Sequence, residues 1–167
     1  MKNILPILFT IAALSGIAPA KELHFPEKGD SLFTITIPNS WKPGKDDDNI
    51  LEASSDEGHI YLAAWELKSE KDAKALGDDI ENLLKDHAKN IKLDGKPTEC
   101  KPGGLEGLLF KGHAKDKEDD SKIEFFALLI TNKDKAAVIY IEASEDTPEE
   151  DSAKLEKILK SIKPGKE

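Results

Sequence analysis

Lys122-Ile123-Glu124-Phe125-Phe126-Ala127-Leu128-Leu129-Ile130-Thr131 is the stretch that decides the fold. Read with a period of two, Phe125, Ala127 and Leu129 face one way while Phe126, Leu128 and Ile130 face the other. Apolar groups therefore lie on both sides of one strand. A strand of that kind needs a covering layer above and below its sheet, so the rest of the chain must supply two covers.

Working outward, residues 105–113 and 136–143 carry the same period-two pattern. An acidic loop and the turn at 132–135 join them to the central strand, which predicts a three-stranded antiparallel meander. Upstream, residues 50–54 and 59–67 flank Ser55-Asp56-Glu57-Gly58, whose Asp and Gly suit a tight turn and predict a hairpin. Ile60, Leu62 and Ala64 alternate with Tyr61, Ala63 and Trp65, so the second strand of that hairpin is expected inside the sheet. Earlier still, Phe33, Ile35 and Ile37 alternate with Thr34 and Thr36 before Pro38 ends a half-buried strand.

Two helices are expected as covers. Ser69 offers an N-cap, and Ala73, Leu76, Ile80, Leu83, Leu84, Ala88 and Ile91 recur at helical spacing over five turns, with Asp94-Gly95 as the stop. His87 falls on the edge of that apolar face, and Lys89 on its solvated side. A short edge strand is expected over 97–101. Thr147-Pro148-Glu149-Glu150 reads as a capping box with proline at the first helical position, and Leu155, Ile158, Leu159 and Ile162 make one apolar stripe. The fold class that follows is α+β: a mainly antiparallel sheet of about six strands flanked by two amphipathic helices, an α/β/α sandwich.

The N-terminus carries a different signal. Lys2 is followed by an apolar stretch over 4–17 and by Ala18-Pro19-Ala20, a small-x-small pattern, so residues 1–20 read as a cleavable signal peptide. The apolar run is shorter than the roughly 20 residues a spanning helix needs. Lys21, not cysteine, follows the cleavage pattern, which argues against a lipid anchor. The expectation is an exported protein, periplasmic or extracellular, with residues 21–167 as a single domain and no stable membrane insertion once the signal is gone.

All 24 positive side chains are lysine, against 33 Asp and Glu. The segment 21–167 keeps 23 lysines and all 33 carboxylates, a net charge of −10 with histidines neutral. Nucleic acid and anionic membrane are disfavoured partners, and sites built on an arginine fork are excluded. The single cysteine, Cys100, makes no internal disulfide and is expected to be buried and inert. Acidic loops and lysine-rich faces fit a monomer.

No stretch makes a catalytic or cofactor motif, so no catalytic residue and no cofactor are assigned. Asp46-Asp47-Asp48-Asn49 and the acidic run 116–120 offer oxygen ligands without the glycine and glutamate of an EF-hand loop. His24, His59, His87 and His113 lack short ligand spacing, so any metal would require convergence in space. Cys100 with a histidine could form a nucleophilic pair, but no nucleophile elbow surrounds it. Trp41, just past Pro38, suits either the core or a stacking surface, with the core favoured. The residues put forward for partner binding are Trp41, Asp46, Asp47 and Asp48.

Phe33-Thr34-Ile35-Thr36-Ile37-Pro38-Asn39-Ser40-Trp41, followed by a hairpin with an Asp-Glu-Gly turn, a long helix, a meander and a terminal helix, resembles the PsbP-like fold family over most of residues 30–163. That family includes the extrinsic photosystem subunit PsbP, a nuclear-import factor that binds the Ran GTPase, and exported bacterial proteins. The resemblance implies a noncatalytic binding or assembly module, here one that holds an envelope protein. The alternative is a metal-dependent ligand binder or enzyme whose site is assembled from scattered His, Asp and Glu.

Overall fold

The structure is a computed structural model that describes residues 19–27, 29–45, 50–68, 70–132 and 135–165. In chain order the elements are β1 (Ala20–Phe25), β2 (Phe33–Pro38), β3 (Gly44–Lys45), β4 (Leu51–Ser54), β5 (Ile60–Leu67), α1 (Glu70–Leu84), β6 (Ala88–Leu93), β7 (Thr98–Cys100), β8 (Glu106–Asp116), β9 (Lys122–Asn132), β10 (Lys135–Ser144), α2 (Glu149–Lys160) and β11 (Lys163–Pro164). The architecture is α+β, dominated by antiparallel sheet, with two short helices. Of residues 1–20, expected to be a signal peptide, only Pro19 and Ala20 are among the described residues.

The eight-stranded sheet runs β3-β4-β5-β10-β9-β8-β6, and β7 pairs with β8 beyond the end of β6. The 55–60 turn joins β4 to β5 with Leu51 opposite Ala64 and Ser54 opposite Tyr61. The expected meander is present as β8, β9 and β10, and β5 lies inside the sheet. Two-sided burial holds as well. Phe125, Ala127 and Leu129 join Leu76, Ile80 and Leu84 of α1 in one core, while Leu128 and Ile130 join Ile139, Ile141, Trp41 and Ile158 in the other.

The covers differ from expectation on one side. The strand over 33–38 belongs to a separate three-stranded sheet, β1-β2-β11, in which Leu23 lies opposite Ile35 and Lys163 opposite Thr34. Phe25, Leu32, Phe33, Ile35 and Ile37 of this small sheet and its approach lie against the large sheet, with Ile158 and Ile162 beside them. One face is thus covered by a helix and the other by a small sheet with a helix. That makes eleven strands in two sheets, not about six in one.

The first helix is also shorter than its periodicity suggests. It ends at Leu84, a tight turn follows, and Ala88 and Ile91 fall on edge strand β6. Lys117 Nζ donates to the carbonyl of Lys85 and the Lys117 N–H to that of His87, holding the turn after the helix. Leu83 is exposed, and Ser69, the proposed cap, lies outside the described residues. At α2 the capping box does not form. Pro148 is the N-cap with no side-chain capping bond. The Thr147 hydroxyl sits within hydrogen-bond reach of the carbonyls of Ser144 and His59, at 2.7 and 3.3 Å. Glu149, Glu150 and Asp151 instead place negative charge in the first turn, where the helix dipole favours it.

Candidate binding site

Trp41 closes a 3-10 turn over Asn39–Trp41 that leaves the end of β2. Its side chain is 1% exposed and packs in the core between the two sheets, so the indole is not an open stacking surface. It nevertheless lines the floor of a cleft of about 480 Å³, with Lys42, Glu52, Ser54, Asp56 and Tyr61 around it. Lys42 adopts the left-handed conformation (φ 49°, ψ 52°) and swings the chain from the turn into β3.

That swing leaves part of a sheet edge open. Strand β3 covers β4 only through Gly44 opposite Glu52 and Lys45 opposite Leu51. Continuing the register would bring Pro43 opposite Ala53, but proline has no N–H to give the ladder, and Lys42 has already turned away. The Ser55 N–H donates to the Ile60 carbonyl at 2.9 Å. Alternation along an antiparallel pair then turns the backbone groups of Glu52 and Ser54 outward. Glu52 meets Gly44; among the described residues no backbone partner meets Ser54 on that side.

The polar lining is partly committed. The Tyr61 hydroxyl donates to Glu52 Oε1 at 2.5 Å, and Lys154 of α2 lies 3.7 Å from Asp56 Oδ2. Lys45 lies 3.1 Å from Glu27 and over the ring of Phe25. Asp46, Asp47 and Asp48 lie outside the described residues, while Lys45, which precedes them, ends β3 and lines the cleft.

The second acidic loop commits Asp116 and Asp119 to its own turn. Asp116 Oδ1 accepts from the Glu118 N–H at 2.6 Å, and Asp119 Oδ1 from the Ser121 N–H at 2.8 Å. Hydrogen bonds from the Ser121 side chain and backbone hold Asp119 below the usual carboxylate range. Among the described residues no group of three or more His, Cys, Asp or Glu side chains is placed to hold a metal ion.

Each histidine stands beside a carboxylate rather than beside another histidine: His24 by Glu22, His59 by Glu57, His87 by Glu142 and His113 by Asp94. His87, past the end of α1, reaches both Glu142 oxygens at 3.1 Å, and the buried Tyr140 hydroxyl donates to Glu142 Oε2 at 2.9 Å. Sequence reading missed this cluster because it placed His87 on a helix. Cys100 is half-buried on edge strand β7, not fully buried. Burial pushes its thiol up, away from the reactive thiolate.

No family model matches the chain, and no curated protein matches it. Solved structures do match in fold. LpqN of Mycobacterium tuberculosis, described as involved in cell envelope biogenesis, is 12% identical with a TM-score of 0.51, over 89% of this chain and 91% of that one. A protein from Bacteroides thetaiotaomicron VPI-5482 is 12% identical with a TM-score of 0.50 over 81% of this chain. This chain spans only 46% of that protein's length. At such identity the likeness is one of fold alone.

No helix among the described residues is long and apolar enough to cross a membrane.

Proposed function

We propose that this protein is an exported, noncatalytic binding module of the cell envelope that holds a protein partner by adding an extended segment of that partner to the open edge of β4. The observation that carries this reading is the coincidence of a free edge at Ser54 with the cleft beside Trp41. Backbone groups pointing outward give an incoming strand its hydrogen bonds, and the adjoining cleft receives alternate side chains, which is how sheet-edge recognition combines affinity with selectivity. The signal-like residues 1–20, the single domain 21–167, the PsbP-like resemblance and the envelope role printed for LpqN all support an envelope location. Asp46, Asp47 and Asp48, which follow Lys45 in the chain, would add charge selectivity for a basic segment.

The test uses the tagged full chain with its signal, crosslinked in cells and captured against an exported control of similar charge. A Ser54→Pro variant removes the outward N–H at an edge position, where proline is tolerated because no ladder bond is lost. The expected result is one enriched envelope protein captured by the wild type and lost with Ser54→Pro at an unchanged Tm. Capture equal to the control, or capture that survives Ser54→Pro, would sink the reading.

A further inference from the structure

The opposite end of the large sheet carries a second feature. Lys89 of β6 lies directly opposite Lys115 of β8, and Lys115 directly opposite Lys122 of β9. Three ammonium groups thus stand in register across three adjacent strands, on one face. The next rung places Lys92 opposite His113 and His113 opposite Glu124. Like charges directly opposite each other across strands repel, so such a ladder is unfavourable unless anions sit among its members.

The protein supplies only part of that compensation. Asp120, held at a left-handed φ of 64°, places Oδ1 2.8 Å from Lys89 Nζ, and Glu124 pairs with Lys122 at 2.5 Å. Among the described residues Lys92 and Lys115 make no ion pair. The side chains of Lys92, Lys115 and Lys122 line a concavity of about 570 Å³, together with Asn90, His113 and two carboxylates, Asp120 and Glu145. The Glu145 N–H donates to the Lys122 carbonyl at 3.0 Å. A bulge between Lys89 and Lys92, with Asn90 at φ 56°, helps to shape its rim.

Lysines on an outer strand commonly guard it against pairing with other chains, and that suffices for Lys89 and Lys92. It does not explain Lys115 and Lys122, which lie on β8 and β9, both paired on each side. In a chain of net charge −9, this concavity gathers three lysines against two carboxylates, and Lys92 and Lys115, without an ion pair among the described residues, leave positive charge for a negatively charged occupant. We infer that this concavity binds a small molecule with two or more clustered negative charges, a phosphate ester or a polycarboxylate, on the ammonium groups of Lys92, Lys115 and Lys122, with the Asp120 and Glu145 carboxylates competing for the same ladder. This site lies across the sheet from the β4 edge and does not depend on the proposed protein partner.

The experiment is a titration of the isotope-labelled full chain, followed by backbone amide shifts, with pyrophosphate and with citrate, each against sodium chloride at matched ionic strength. Saturable shifts confined to residues 89–92, 113–115 and 120–124 are expected. Replacing Lys115 and Lys122 together by Gln is expected to weaken binding by about tenfold or more. Asp120→Asn tightens it, whereas the charge-matched Asp56→Asn on the β4–β5 turn leaves it unchanged. Saturation by pyrophosphate alone assigns a phosphate ligand, and by citrate alone a carboxylate. Dispersed or unsaturable shifts equal to those with chloride, or affinity unchanged in the double variant, would overturn the inference. Ser54→Pro is expected to leave anion binding intact, which keeps a failure here separate from a failure at the β4 edge.

Discussion

The two faces of the eight-stranded sheet are covered in different ways. On one, a single local helix, α1, brings Leu76, Ile80 and Leu84 down onto Phe125, Val138 and Tyr140. On the other, segments far apart in the chain meet: β1 and β2 from the beginning, Trp41 from the turn after them, and α2 with β11 from the end. The first cover is a short-range element that can form and detach as a unit. The second is a joint, tied by the Thr36 N–H donating to Ser161 Oγ at 2.8 Å and by the Gly165 N–H donating to the Leu32 carbonyl at 3.0 Å. Cooperative stability is therefore expected to reside on the joint face, and local opening on the α1 face.

Trp41→Ala strikes the joint face at its largest side chain and is expected to cost about 3–5 kcal/mol, lowering amide protection throughout the molecule. Ile80→Ala on the other face is expected to cost about 2–5 kcal/mol. In native-state hydrogen exchange its loss of protection is expected to concentrate in α1, and equal losses in β2 and α2 would break the comparison. Gly112→Ala tests the floor of the α1 face, where a Cβ would stand 2.2 Å from Phe125 Cζ and 2.5 Å from the Lys92 carbonyl oxygen. Overpacking of that kind is expected to cost about 1–3 kcal/mol in urea unfolding.

Tyr140 gives the α1 face a dependence on alkaline pH. Burial, and then the charge of Glu142, push its phenol well above the ordinary value. Above about pH 10 the unfolded tyrosine loses its proton while the folded one keeps it. The unfolded state then binds fewer protons, so stability is whole below that pH and falls above it, by up to about 1.4 kcal/mol per pH unit. Tyr140→Phe is expected to flatten that part of the pH–stability curve, measured by urea unfolding between pH 9 and 11. Smallest is the exposed pair of Lys160 with Glu156, where Lys160→Ala is expected to shift stability by less than about 0.5 kcal/mol.

The interior of the large sheet was legible because its strands repeat apolar groups on both faces, a pattern that depends on no distant partner. The end of α1 was not. Leu84, Ala88 and Ile91 continue a helical period by coincidence, and only the turn after Leu84, held by Lys117 from the β8–β9 turn, shows that the chain has already become a strand. That one boundary hid the lysine ladder, since Lys89 read on a solvated helix face cannot lie opposite Lys115. The separate small sheet was equally hidden, because nothing within Phe33–Pro38 tells which strands will flank it. At the cleft, Trp41 was legible as core, whereas the open edge at Ser54 depends on the left-handed turn at Lys42, a residue type with no preference for that conformation.

The small sheet has a consequence for the order of events in a cell. Strand β2 is flanked on one side by β1, which starts at Ala20, and on the other by β11, at residues 163–164. The clasp between the sheets therefore cannot shut until residues 163–164 have left the ribosome, and a chain not yet made that far lacks part of its joint. Late closure of the joint is thus built into the topology.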